Sequence, residues 1–447
     1  MINIVIIGGG LAGLSAAYRL SDEHQVTVVE QDDVLGGMAQ SYHIDAKTDG
    51  QIDEYTGDNT DNYYIEKYYH HFFSSDTELM GLIDELGLAG RLQWIKGTTG
   101  YYWSGRAYPM NTPLEILKFP PMSLLDIFRL SLLVLRTKLV RDIRSYDDIT
   151  AGKWILKIAG SGVYNNFFQP LLNSKFGSNA DRVSAAWLLG RVKIRSNRGA
   201  EGERLGYMKG GFHHLIAALA DSIREKGSRI MTGNGAREIL IEGGRVSGVR
   251  LEEGTLSCDT VISTVSPVTL ASLVEPGIPG FESSAIHYQG TCCALLGMSK
   301  PLMTDGTYWL NIKADVPFGA LIEHTNFMPA SDYAGEHLLY IASYFQDHDD
   351  PLYTQSEEEV IGMFLDGLEK LYPDFDRSAV IWWELGRDAL TAPVYETGYA
   401  ERILPYKTGV DGLYVAGMFS EANYPERSMN GSVRAGYEVA GAVVRDV

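Results

Sequence analysis

The chain has 447 residues, of which 45% are hydrophobic and 21% are charged, and its formal net charge is −19 at pH 7. This length allows two or three domains with their own cores, and the composition is typical of a soluble globular protein. The acidic balance argues against sequence-independent binding of nucleic acid, which requires a basic surface.

Cysteine usage and the N-terminus indicate where the protein works. The cysteines Cys258, Cys292 and Cys293 form no CxxC pair, so we expect buried thiols and neither a disulfide framework nor a metal site. The N-terminus lacks the pattern of a signal peptide, and no uncharged apolar run approaches the length of a membrane span. We therefore expect a cytoplasmic protein.

The first thirty residues predict a dinucleotide-binding unit. An apolar strand over residues 1–7 leads into the turn GGGLAG and the helical run LSAAYRL, and a second apolar strand ends at Glu30, twenty residues after Gly10. The glycines permit a tight turn and close approach of the backbone to a pyrophosphate. The helix N-terminus favours a phosphate group, and Glu30 is expected to accept a hydrogen bond from a ribose hydroxyl. The predicted contacts in the turn are Gly8, Gly10, Leu11, Ala12 and Gly13.

Two further stretches distinguish FAD from NAD. Gly36 and Gly37 follow Glu30 closely, and a C-terminal strand ending at Gly417 leads to a helix that opens with SMNGSV, residues 428–433. Together they resemble the flavin-dependent amine oxidase superfamily, which also contains protoporphyrinogen oxidases, phytoene-type desaturases and, more distantly, UDP-galactopyranose mutases. The resemblance covers nearly the whole chain.

The resemblance implies further FAD contacts. The early glycine pair would lie along the ribityl-phosphate, the C-terminal strand and helix would bring backbone N–H groups to the phosphate and the pyrimidine edge, and Ala236 would contact the adenine side. The remaining implied contacts are Met38, Gly417, Met418, Asn430, Gly431, Ser432 and Val433. Gly431 is expected to leave room for the flavin.

The C-terminal segment departs from the family pattern in one place. Met418 stands where many relatives carry an acid, and Glu421 is the candidate replacement. The segment has no cysteine of the kind that binds flavin covalently in some relatives, so we expect FAD to be held without a covalent bond.

We predict an α/β fold with a Rossmann-like FAD-binding domain that is discontinuous in sequence, joined to a second, α+β substrate domain. The FAD-binding domain would comprise residues 1–75, 205–285 and 390–447. The substrate domain would comprise residues 76–204 and 286–389.

One predicted helix, over residues 124–141, carries a broad apolar arc. Its members are Leu124, Leu125, Phe128, Leu132, Leu135 and Leu139. An interfacial helix that admits a lipid-soluble substrate, with peripheral membrane contact, is one interpretation. A core helix of the substrate domain is the other, and we favour it because such arcs usually face a core.

Residues for substrate binding are harder to assign, because the flavin carries the chemistry. His70 and His71 follow the first domain and are candidates for the pocket wall, although neighbours in extended chain point to opposite faces. Tyr102 belongs to an aromatic hairpin. The basic run over residues 191–198 offers Arg195 and Arg198 for an anionic group, with a solvated surface as the alternative. Catalytic side chains and a metal site are not assigned.

These observations predict an FAD-dependent oxidoreductase that takes a hydride equivalent from a C–H or C–N bond of a mostly apolar small molecule. Two alternatives remain open. One is a non-redox flavin mutase resembling UDP-galactopyranose mutase, and the other is a flavoprotein with a structural cofactor.

Overall fold

The structure is a computed structural model that describes residues 1–45, 62–195, 204–275, 277–282 and 285–447. Its α-helices are numbered in chain order. They are α1 Leu11–Leu20, α2 Thr77–Glu85, α3 Pro113–Leu117, α4 Leu124–Leu139, α5 Ala151–Val163, α6 Gln169–Phe176, α7 Ala185–Arg195, α8 His213–Glu225, α9 Pro267–Leu273, α10 Pro351–Thr354, α11 Glu357–Leu371, α12 Tyr399–Arg402 and α13 Met429–Asp446.

The strands are numbered in the same way. They are β1 Asn3–Ile7, β2 Gln25–Val29, β3 Ser41–Asp45, β4 Asn62–Glu66, β5 Leu92–Lys96, β6 Thr99–Trp103, β7 Arg106–Pro109, β8 Arg204–Met208, β9 Arg229–Met231, β10 Ala236–Glu242, β11 Arg245–Leu251, β12 Thr255–Ser257, β13 Thr260–Ser263, β14 Tyr288–Met298, β15 Trp309–Lys313, β16 Ala320–Glu323, β17 His337–Phe345, β18 Val380–Pro393 and β19 Leu413–Val415.

A five-stranded parallel sheet, in the order β19–β13–β1–β2–β9, confirms the predicted α/β class. The central strand β1 is buried along Ile4–Ile7, as expected for a strand covered on both faces. Helix α1 packs against α13 and α8. The first and last segments of the chain therefore meet in one layer.

A second sheet has seven strands in the order β18–β14–β17–β16–β15–β6–β7. All neighbouring pairs are antiparallel except β15 and β6, which run parallel. Helix α11 packs its apolar residues onto this sheet, and helices α4, α5 and α7 share another core. The aromatic hairpin of residues 100–109 is confirmed as β6 and β7.

Helix α4 corrects one expectation. The six apolar residues of the predicted arc are all exposed, from 44% for Leu132 to 75% for Leu124. The opposite face, with Ile127, Leu130 and Leu133, is buried instead. The interpretation of the arc as facing a core is therefore wrong for this chain, because the helix has two apolar faces and the protein covers only one.

Candidate functional site

A cavity of about 1320 Å³ is lined by residues of the parallel sheet, the seven-stranded sheet and helices α4, α6 and α7. Most of the residues predicted to bind FAD lie in its walls. These are Gly8, Gly10, Leu11, Ala12, Glu30, Gly36, Gly37, Met38, Ala236, Gly417, Met418 and Ser432.

The glycine-rich turn forms one end of the cavity. Gly8 has φ of 109°, and a Cβ atom there would lie 2.4 Å from Thr264 Oγ1. A Cβ atom on Gly13 would lie 2.0 Å from the carbonyl oxygen of Gly8, so this glycine serves the packing of helix against strand and does not line the cavity.

Helix α1 presents its N-terminus to the cavity. Its N-cap residue, Gly10, supplies no side-chain hydrogen bond, so the first-turn N–H groups beside Leu11 and Ala12 stay available for a ligand. Free N–H groups and the positive end of the helix dipole suit a phosphate group. The residues present therefore fit the pyrophosphate of a flavin dinucleotide.

Glu30 lies beside this turn at the end of β2. Its Oε2 atom accepts a hydrogen bond from Gly9 N at 2.7 Å, and its Oε1 atom accepts one from Asp32 N at 3.0 Å. Two backbone donors fix the carboxylate in the cavity wall, where it is positioned to accept a hydrogen bond from a ribose hydroxyl.

Only part of the C-terminal helix start faces the cavity. Ser428 caps α13 by accepting a hydrogen bond from Gly431 N at 2.9 Å, and Ser428, Met429 and Ser432 line the cavity. The Asn430 side chain instead contacts α2, where it donates to Glu78 at 2.8 Å and accepts from Leu79 N at 2.9 Å. Val433 is buried in the core.

The backbone of Gly431 packs closely against other residues of the protein, and Gly431 does not line the cavity formed by the described residues. A Cβ atom there would lie 2.2 Å from Asn423 Oδ1 and 2.8 Å from the carbonyl oxygen of Ala422. Buried Asn423 also accepts from Ser428 N and donates to the carbonyl of Gly417. Asn423 thus ties the start of α13 to the end of the last strand.

Glu421 does not replace the missing acid at position 418 in this structure. Its side chain is half exposed and forms an ion pair with Arg144, and it is not in the cavity wall formed by the described residues. Met418 itself lines the cavity.

The structure places the residues predicted to bind substrate in different parts of the molecule. His70 and His71 both line the cavity, whereas Tyr102 is buried elsewhere and donates to the carbonyl of Leu371 at 2.9 Å. Arg195 is the last residue of α7, and Arg198 lies outside the described residues.

His70 is held in one tautomer. Its Nδ1 atom lies 2.5 Å from the carbonyl oxygen of Tyr68, which can only accept a hydrogen bond, so Nδ1 carries the proton. Burial lowers the pKa of His70 to about 4, so the ring is neutral at physiological pH.

Sequence reasoning missed a charged group at the cavity wall. Glu426 Oε1 lies 2.6 Å from Arg191 Nη1 and 3.2 Å from Lys175 Nζ, and Arg427 lines the same cavity. Burial, with Arg191 and Arg427 nearby, lowers the pKa of Lys175 to about 7 against the opposing influence of Glu426. Only the basic run that contains Arg191 signalled this group in the sequence.

Apolar residues form the part of the cavity between the helices. They are Ile116, Leu117, Ile127, Leu130, Val134, Phe167, Phe168, Leu171, Leu188 and Val192. None of the three cysteines, all of which are described, lies in the wall.

Comparison with known proteins agrees with this geometry. The chain is 24% identical to a 15-cis-phytoene desaturase of Capsicum annuum, over 100% of this chain and 78% of the relative. It is 21% identical to a coproporphyrinogen III oxidase of Propionibacterium freudenreichii subsp. freudenreichii, over 90% of this chain and 82% of the relative.

Among solved structures, reduced UDP-galactopyranose mutase superposes with a TM-score of 0.73 at 18% identity, covering 100% of this chain and 96% of that one. At this identity the likeness shows a shared fold. The family model described as flavin containing amine oxidoreductase matches residues 11–444. The chain therefore belongs to the flavin-containing amine oxidoreductase family and is an FAD-dependent oxidoreductase.

Proposed function

We propose that the protein takes a hydride equivalent from a C–H or C–N bond of a mostly apolar small molecule. The supporting observation is one continuous cavity that joins the dinucleotide-binding turn to a chamber walled by aliphatic and phenylalanine side chains. When bound, FAD would supply the acceptor for the hydride, and the substrate would release a second proton as its new double bond forms. Oxygen or another acceptor would reoxidise the cofactor.

The chamber supports an apolar substrate body. Ile127, Leu130 and Val134 contribute one helical wall, and Phe167 and Phe168 contribute another. Burial of apolar surface contributes roughly 25 cal/mol per Å² to binding before the costs of association are subtracted. The polar groups of a more polar substrate of the same size would find no hydrogen-bond partners among these apolar side chains.

The absence of a cysteine from the cavity wall formed by the described residues supports non-covalent FAD. The composition of the parallel sheet supports the proposed FAD-binding domain of residues 1–75, 205–285 and 390–447, since its strands come from all three pieces. Residues 76–204 and 286–389 would form the substrate domain.

The function is tested with purified protein in three steps. The protein should be yellow and release intact FAD on acid precipitation. Anaerobic mixing with phytoene or coproporphyrinogen should bleach the flavin absorbance, and admission of oxygen should restore it. Stable FAD that no apolar substrate reduces would favour a structural cofactor and contradict the proposal.

A non-redox mutase is the second candidate, and the cations beside the cavity favour it because they suit a diphosphate. Turnover of UDP-galactopyranose by the chemically reduced protein, with no net change in flavin absorbance, would support the mutase. Failure of the reduced protein to turn over this sugar nucleotide would remove it.

We also propose that the exposed arc of α4 lies on an anionic membrane surface. Residues 113–141 carry five Lys or Arg and two Asp or Glu, in a chain of net charge −19. Exposed leucines beside basic residues are the pattern of an interfacial helix. Leu117 is 45% exposed and also lines the cavity, so the same surface adjoins the substrate chamber.

Within the described ranges, no helix has both the length and the apolar character needed to cross a bilayer. Flotation with vesicles tests the surface contact. Vesicles containing phosphatidylserine should carry the protein, and the double variant Phe128→Gln, Leu132→Gln should stay in solution. Ile381→Gln, at an apolar residue of β18 that is 49% exposed, is the matched control and should float normally. Equal flotation of both variants would contradict membrane contact through α4.

A further inference from the structure

Three cations and one carboxylate meet at the cavity wall. Lys175 at the end of α6 and Arg191 on α7 share the Oε1 atom of Glu426, at 3.2 and 2.6 Å. Arg427 follows Glu426 and also lines the cavity. Across the described part of the chain, no carboxylate forms an ion pair with Arg427. Positive charge thus exceeds negative charge in this cluster, although the whole chain is strongly acidic.

The surroundings of the cluster are aromatic and largely dry. The Lys175 and Arg191 side chains expose only 19% and 31% of their surface, and their charged ends lie 4.9 and 5.7 Å from the Trp187 ring centroid. Tyr69 and Tyr344, whose hydroxyls lie 3.3 Å apart, line the same cavity. Cations with so little water are costly unless an anion reaches them.

Lys175 and Arg191 lie on elements other than those of the phosphate-binding turn, whereas Arg427 lies on the loop before α13. Lys175 lies on α6, which packs against β17 and β15 of the seven-stranded sheet, and its carbonyl accepts a hydrogen bond from Gln289 at 2.9 Å. The glycine turn and α1 belong to the parallel sheet instead. Glu426 balances one of the three positive charges, so the cluster keeps a net positive charge when the FAD pyrophosphate binds at α1.

We propose that Lys175, Arg191 and Arg427 form an anion-binding subsite for an acidic group of the substrate. The substrate class is then an apolar body, held between α4 and residues 164–176, that carries a carboxylate or phosphate. Arginine donates two parallel hydrogen bonds to such groups, which fixes orientation as well as position. This inference rests on the proposed function in locating substrate in this cavity.

The subsite is tested by ligand titration of the oxidised, FAD-loaded full chain, followed by the flavin difference spectrum. Decanoate, decanol and decylamine share one apolar body and differ only in the head group. Decanoate should bind most tightly. Arg427→Gln should weaken decanoate binding about 10- to 100-fold, the effect of losing one charge-assisted contact, and should leave decanol binding unchanged.

Two controls separate folding from recognition. Arg224→Gln removes an exposed arginine of α8 that pairs with Asp221, and it should bind every probe as the unchanged protein does. Arg427→Lys keeps the charge and should recover part of the decanoate affinity. FAD content and thermal unfolding are measured for each variant, and Arg191→Gln provides a second test of the subsite if Arg427→Gln does not retain FAD.

A titration with uridine diphosphate distinguishes a diphosphate from a carboxylate as the acidic group that the subsite binds. Tight binding of uridine diphosphate that Arg427→Gln weakens supports the subsite with a diphosphate ligand, and preference for decanoate supports it with a carboxylate. Unaltered decanoate binding in both Arg427→Gln and Arg191→Gln, or tighter binding of decylamine than of decanoate, overturns the proposal. These readouts need no turnover, so a failure of the subsite is distinguishable from a failure of the oxidoreductase function.

Discussion

Glu426 accepts a hydrogen bond from Arg191 at 2.6 Å, across 235 residues of sequence. The contact joins the loop before α13 to α7. It holds the loop that precedes the predicted flavin-facing helix start against the layer of helices that walls the substrate chamber. The Glu426–Arg191 pair is therefore one of the contacts that position this loop against α7.

Replacing Glu426 by Gln should destabilise the protein. The change removes the negative charge that Arg191 and Lys175 share, at a cost of about 2 kcal/mol in the free energy of unfolding, since the pair is only partly exposed. Thermal or urea unfolding measures this change. Glu369→Gln, at an exposed ion pair with Arg377, is the matched control and should change the stability much less, because solvent screens an exposed pair. Similar losses in both variants would contradict a special role for Glu426.

Anion binding should depend on pH through Lys175. Its pKa of about 7 means that the amine loses its proton as pH rises through neutrality, so decanoate affinity should fall from pH 6 to pH 8.5. Arginine side chains keep their positive charge in proteins, so binding weakens without being abolished. The neighbouring His70, with a pKa of about 4, is neutral across this range, and burial raises the pKa of Tyr69 well above its usual value.

Calorimetry in buffers of different ionisation enthalpy gives the matching proton count. Near pH 7 the bound anion should raise the pKa of Lys175, so binding should take up a fraction of a proton. Lys175→Gln should abolish both the pH dependence and the proton uptake. A pH dependence that persists in this variant would assign the titration to another group.

Glu30 should determine FAD affinity. Glu30→Gln removes the charge from an acceptor expected to bind the ribose, and it should weaken FAD binding by about 10-fold or more. Flavin fluorescence during reconstitution of the apoprotein measures the dissociation constant. Glu238→Gln, whose carboxylate pairs with Arg250 on an exposed hairpin, should leave FAD affinity unchanged. An undiminished affinity in Glu30→Gln would show that the ribose contacts other residues.

Gly431→Ala should lower stability and FAD content together. The added Cβ atom displaces Asn423, which holds the loop between Gly417 and Ser428, and such overpacking costs about 1–3 kcal/mol. Gly441→Ala in the same helix is the control, because its Cβ would meet only the tip of Arg445, at 3.4 Å, and alanine favours a helix.

Thermal unfolding and flavin absorbance distinguish two explanations of a Gly431→Ala defect. Loss of both, as predicted, follows from the contact with Asn423. Loss of FAD with unchanged stability would instead support direct approach of Gly431 to the flavin, as the sequence alone suggests.

The sequence by itself determined the dinucleotide-binding end of the molecule. Strand, glycine turn, helix and acid are local patterns, and local patterns encode their own geometry through backbone conformation and helix termini. The same holds for the aromatic hairpin of β6 and β7.

Only the tertiary structure decided what each apolar or charged face meets. Periodicity indicated that Leu124 and Leu132 share a face of α4, but it did not reveal that this face is exposed. Lys175 and Glu426 are 251 residues apart, and no local rule pairs them. The two residues meet because α6 and the C-terminal loop pack around one cavity. The residues next to either partner in the sequence carry no pattern that predicts such a long-range contact.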